Sequence, residues 1–146
     1  MDIYYLKENI QDMNNWYHKL IYLVDRNAQF QSTIPFLESF TKVNVNKIVS
    51  EKLLGIPRQK YPMYVNDILV EALDDQDDTY ILQHIDILFD SQLKINPVKL
   101  FEQLSKHYQL IVEWPGKYEN NQLSYAEYGH PEYFLSDKFE GEIFIK

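Results

Sequence analysis

Three short runs of unbroken apolar residues, Leu20-Ile21-Tyr22-Leu23-Val24, Tyr80-Ile81-Leu82 and Leu110-Ile111-Val112, set the narrowest limits on how this chain can fold. Each is too short for a helix and lacks the polar alternation of a strand with one wet face. Such runs predict strands buried on both faces, as in a parallel sheet covered by helices. The second run is entered from the acidic turn Asp74-Asp75-Gln76-Asp77-Asp78, and the third belongs to a predicted strand Gln109–Trp114 that ends at Pro115-Gly116.

Helical patterns lie between these runs. Ile3, Leu6, Ile10, Met13, Trp16, Tyr17 and Leu20 recur at three-and-four spacing and predict an amphipathic helix over Ile3–Leu20. Ser32 or Thr33 can cap a helix whose first turn holds Pro35, and Ile48–Leu54 reads as a helix stopped by Gly55 and Pro57. Asn66–Leu73, capped by Asn66, and Pro97–His107, capped by Asn96 with Pro97 at its first position, are two more. Lys42–Asn46, Gln122–Ala126 and Glu142–Lys146 read as short strands. Alternation of strands and helices predicts a single α/β domain over residues 1–146 with a mostly parallel sheet.

Leu20–Val24, a loop from Asp25 to Gln31 and a capped helix together make the architecture of a phosphate-binding loop. Such a loop needs glycines where backbone meets phosphate, a lysine for the β and γ phosphates and a hydroxyl for Mg²⁺. Placing G-x-x-x-x-G-K-[ST] here puts Asp25 and Phe30 at the glycines, with Ala28 between them, Gln31 at the lysine and Ser32 at the hydroxyl. Changing the register does not restore it, since there is no Gly before Gly55 and no Lys between Lys19 and Lys42. The strand from Tyr80 would carry the metal-holding Asp and the Glu that polarises water. Gln83 and His84 stand there, and the acids come later, at Asp86 and Asp90.

Several stretches carry a resemblance to a known family. Ile87-Leu88-Phe89-Asp90, Leu93-Lys94, Asn96-Pro97, Leu100 to Ser105, Trp114-Pro115-Gly116, Tyr125-Ala126-Glu127 and Gly129-His130-Pro131-Glu132-Tyr133 resemble the BrxF-like P-loop proteins of type 3 BREX bacteriophage-exclusion systems. The similarity runs from about Leu20 to Tyr133. It implies a P-loop NTPase-like core without a lid domain, working beside other anti-phage proteins that include a large ATPase and a methyltransferase. With both nucleotide motifs degenerate, the expectation is an accessory or regulatory subunit that acts through protein contacts rather than hydrolysis. The resemblance marks Trp114, Pro115, Gly116, Tyr125, His130, Glu132 and Tyr133 as family-motif or interaction residues. A divergent nucleotide-binding ATPase subunit of the same system is the alternative, and a nucleic-acid-binding module is the less favoured one.

Composition narrows the partners. The chain has 146 residues, 14 basic and 22 acidic side chains and a net charge of −8, which disfavours non-specific binding to nucleic-acid phosphates. Without cysteine there is no disulfide, thiolate nucleophile or Cys-rich zinc site. Neither a leader pattern nor an apolar run near about eighteen residues is present, so the expected location is the cytoplasm, with no membrane partner. No cofactor is expected, and weak binding of ATP and Mg²⁺ is the alternative. His84 with Asp86 and Asp90 lacks the further ligands of a metal site. His130 with Glu132 could form an acid and base pair, but the Gly-x-Pro setting favours a turn. Trp114 and the tyrosines of the tail could stack bases, but core or a protein contact suits the negative charge better. Arg58 and Lys60 beside Tyr61 and Tyr64 form one basic and aromatic cluster, better read as a solvated loop than as a nucleic-acid contact.

Overall fold

The computed structural model describes residues 3–25 and 35–146. Five strands, β1 (Leu20–Val24), β2 (Thr41–Asn44), β3 (Thr79–Gln83), β4 (Gln109–Trp114) and β8 (Glu142–Ile145), form one sheet in the order β2-β3-β4-β1-β8. Every pairing in it is parallel, with Leu20 opposite Leu110, Tyr22 opposite Ile143 and Leu82 opposite Val112. The expected α/β class with a mostly parallel, helix-flanked sheet is therefore present. A second sheet, antiparallel, joins β5 (Lys117–Glu119), β6 (Gln122–Tyr125) and β7 (Phe134–Ser136). Of these three, only β6 was legible in the sequence pattern. β5 and β7 are three residues each and give too short a run to register as strands.

The alternation of strand side chains sorts the core into two layers. Leu20, Tyr22, Val24, Tyr80, Leu82, Leu110, Val112 and Trp114 face α2 (Val45–Leu53), α3 (Tyr61–Ala72) and α4 (Pro97–Leu104). Ile21, Leu23, Ile81, Ile111 and Phe144 face α1 (Ile3–Asp12) and the 3-10 turn Pro35–Ser39. All five residues of β1 are buried, which is why its sequence is apolar without interruption.

The helix ends differ from expectation where a stronger local arrangement intervenes. α1 stops at Asp12 and passes into a 3-10 turn at Met13–Asn15, because Leu20 is drawn into the sheet and the chain must turn back before it. α2 starts at Val45 because the Asn44 side chain accepts the Lys47 N–H at 3.1 Å, so Val45 and Asn46 leave the predicted strand. α3 begins at Tyr61, with Pro62 in its first turn, so Asn66 is an exposed mid-helix residue and not a cap. The Asn96 cap accepts the Lys99 N–H at 3.1 Å and Pro97 opens α4 as expected, although the helix ends at Leu104. Beyond Pro35 the chain makes only the 3-10 turn to Ser39, not the α-helix expected there, and the proposed caps Ser32 and Thr33 lie outside the described residues.

This topology locates a crevice. The strand after β1 is β2, at the far edge beyond β4 and β3, and the described end of that connection, the 3-10 turn Pro35–Ser39, packs on the α1 face, whereas every later connection steps the other way along the opposite face. Right-handed crossovers require that division, since reversing the step reverses the face. The connections leaving β1 and β4, which are neighbours, therefore diverge, and the opening lies at their carboxyl ends.

Candidate functional site at the carboxyl edge of the sheet

Because the five strands run parallel, their last residues meet along one edge: Val24 and Asp25, Gln83 and His84, Glu113 and Trp114, Ile145 and Lys146. Asp25 is buried, and with Val24, Ile145, Gly116 and Lys117 to Glu119 it lines a cavity of 320 Å³ outside β1, β4 and β8. Of the phosphate-loop positions singled out in the sequence, Asp25 is the one inside this structure. Ala28, Phe30, Gln31 and Ser32 lie outside the described residues.

Gln83 ends β3 on the α1 face, and its amide Nε2 donates to Glu113 Oε2 at 2.9 Å. Extending the β3–β4 register by one residue beyond Leu82 and Val112 brings these two side chains together. Burial raises the Glu113 carboxyl above the ordinary glutamate value, against the Gln83 hydrogen bond and the positive charges of His84, Lys42 and Lys146. Sequence reasoning overlooked Glu113. The available signal was an acid interrupting an apolar strand one residue before its end, at the level where parallel neighbours share a face.

His84 is exposed and left-handed, at φ 53°. Its carbonyl accepts the Asn46 N–H at 2.8 Å, and Asn46 Oδ1 accepts the Ile87 N–H at 2.8 Å. These two bonds fold the chain sharply out of β3 into a 3-10 turn, Asp86–Phe89. The turn carries Asp86 away from the strand ends, where its Oδ2 accepts the Tyr125 hydroxyl at 3.1 Å. Asp90 in turn accepts the Gln92 N–H and starts the next 3-10 turn. The two acids noted after the strand are thus both engaged in shaping the chain. Among the described residues, no three His, Asp or Glu side chains are grouped to hold a metal ion.

The Trp-Pro-Gly and Tyr-Ala-Glu stretches join the two sheets. Trp114 is 1% exposed, and its indole N–H donates to the Ser124 carbonyl at 2.9 Å. Half-buried Pro115 carries the chain to Gly116, where a Cβ would lie 1.8 Å from the same carbonyl oxygen. Phe89 stacks on Tyr125 at 4.0 Å between ring centroids and meets Trp114 edge-on at 5.4 Å. Burial, reinforced by the Asp86 carboxylate, pushes the Tyr125 phenol up to about 12. Trp114 is therefore interior, with the β5–β7 sheet closed over it.

His130 and Glu132 sit in a turn. His130 Nδ1 accepts the backbone N–H of Glu132 at 3.0 Å, and the His130 carbonyl accepts the Tyr133 N–H at 3.0 Å. Tyr133 packs edge-on against Tyr128, which is 90% exposed. The candidate residues thus divide into a strand-end group around Gln83 and Glu113, and a joining group around Trp114 and Tyr125, with His130 to Tyr133 beyond it.

No helix among the described residues is long and apolar enough to cross a membrane. Comparison of the chain with protein-family models, curated proteins and solved structures finds no match in any of the three.

Proposed function

We propose that the protein is a non-catalytic accessory or regulatory subunit of a BREX-type anti-phage system, built on a P-loop NTPase-like core whose nucleotide site is degenerate, and that it works through protein contacts. The observation that carries this reading is the Gln83–Glu113 pair at the carboxyl edge. Where a hydrolytic core would hold Mg²⁺ through a β3 carboxylate, an amide stands and is already committed to the neighbouring strand. The parallel sheet with β1 inside it, and the divergence of the β1 and β4 connections at one end, support the P-loop-like core. The lack of any glycine before Gly55 supports the loss of phosphate binding.

One observation favours the alternative, a divergent ATPase. Glu113 places an acid one strand away from the expected position, with a raised affinity for its proton. Thermal unfolding with and without saturating Mg-ATP separates the two, because a ligand that binds only the folded chain must stabilise it. The accessory reading expects no shift in Tm, no phosphate release and co-purification with another protein of the system. A rise in Tm together with phosphate release that Glu113→Gln abolishes would replace it with the ATPase reading.

A further inference from the structure

Residues 52–66, which run from the end of α2 through the 3-10 turn Arg58–Lys60 into α3, contain Lys52, Arg58 and Lys60 and no acid, in a chain of net charge −8. This tip also exposes large apolar side chains, with Leu54 79% and Met63 70% accessible and Tyr64 39%. Lys52 lies 3.8 Å from Glu71, whereas Arg58 and Lys60 make no ion pair among the described residues.

The position of these cations is electrostatically adverse within the chain. A helix favours negative charge before its first turn and positive charge after its last. At α3 the order is reversed: Arg58 and Lys60 precede it, Lys60 occupies the capping position without a side-chain capping bond, and Asp74 and Asp75 follow it. The acidic end is accounted for locally, since Asp74 accepts the Tyr80 hydroxyl at 2.9 Å and Asp78 the Thr41 hydroxyl at 2.7 Å. The basic end has no such internal partner among the described residues, so its counter-charge is sought outside the chain.

We propose that this α2–α3 tip is the docking surface for a partner protein, and that its occupant is a segment carrying carboxylates beside apolar side chains. Arg58 and Lys60 meet the carboxylates, while Leu54 and Met63 enter apolar contact. Three cations on a strongly acidic chain are too few to hold a nucleic-acid backbone, and exposed Leu and Met gain nothing from phosphates. A second copy offers the Asp74–Asp78 turn as counter-charge, but that turn has no exposed apolar side chain to match Leu54 and Met63. The assignment rests on the protein-contact role proposed above and adds its place and the chemistry of the partner.

The test places photoreactive benzoylphenylalanine at Met63 of the full chain, irradiates it in lysate of the source cells and sequences the cross-linked peptide. The expected product is a peptide from another protein with Asp or Glu flanking apolar residues, its yield falling about tenfold in Arg58→Glu/Lys60→Glu. The same double variant must keep or raise Tm, because its new acids suit the start of α3. Cross-links to nucleic acid, to a second copy of this chain or to nothing overturn the proposal, as does a drop in Tm, which would make the cations structural. A partner that co-purifies but does not cross-link at position 63 overturns this location while leaving the contact role in place.

Discussion

Tyr22 lies in the middle of β1 with its ring edge-on to Phe101, Trp114 and Phe139, and its buried hydroxyl has no hydrogen-bond partner among the described residues. Burial, with the nearby Glu102 carboxylate, holds its phenol well above the ordinary tyrosine value, so it stays neutral. An enclosed hydroxyl left unbonded costs roughly 1–3 kcal/mol. Tyr22→Phe is therefore expected to gain about 1 kcal/mol in urea unfolding at neutral pH. Glu113 gives a pH-dependent counterpart. Its folded carboxyl holds a proton more tightly than the unfolded chain does, so its contribution favours the fold at low pH and is lost as pH rises from the ordinary glutamate range through its raised value. Glu113→Gln is expected to flatten that part of the stability profile and to be at least as stable at pH 7, as Tm measured across pH will show.

Among the elements, the start of α2 and the interior of α3 make a matched pair. Both hold an Asn, but Asn44 accepts a backbone N–H at the first turn, whereas Asn66 points outward from mid-helix. Asn44→Ala is expected to cost about 1 kcal/mol. Asn66→Ala is expected to gain a few tenths, about 0.5 kcal/mol, from helix propensity alone. Thermal unfolding of the two variants measures the contrast directly. The pair also shows what the sequence could not supply. Either Asn, read locally, can cap a helix, and it is the early turn at Arg58–Lys60, launching α3 from Tyr61, that leaves Asn66 in mid-helix.

Across the whole molecule, three of the five strands of the main sheet, β1, β3 and β4, were legible because burial on both faces writes itself as apolar runs, and β4 began and ended where the pattern placed it, whereas the edge strands β2 and β8 each bury one residue and showed only as short strands. The candidate site was less legible. The pairing of Gln83 with Glu113 is a property of register between strands thirty residues apart, which neither run contains by itself. Two strands of the small sheet escaped for a different reason: β7 is held through Phe134 on Phe89 and Trp114, and β5 through its pairing with β6 and Tyr118 on Phe139, rather than by a pattern of their own. A Cβ at Gly116 would meet the Ser124 carbonyl of β6 at 1.8 Å, so Gly116→Ala is expected to cost roughly 1–3 kcal/mol. The accompanying change is the emission of Trp114, whose indole would lose its bond to Ser124 and meet solvent.

That enclosure of Trp114 also bears on kinship. A Trp folded out of sight cannot greet a client, and another chain bearing the same Trp-Pro-Gly would be vouching for a common skeleton, whereas Ala126 and Glu127 stand exposed. Whom each of the two proteins serves would have to be read from what they leave uncovered.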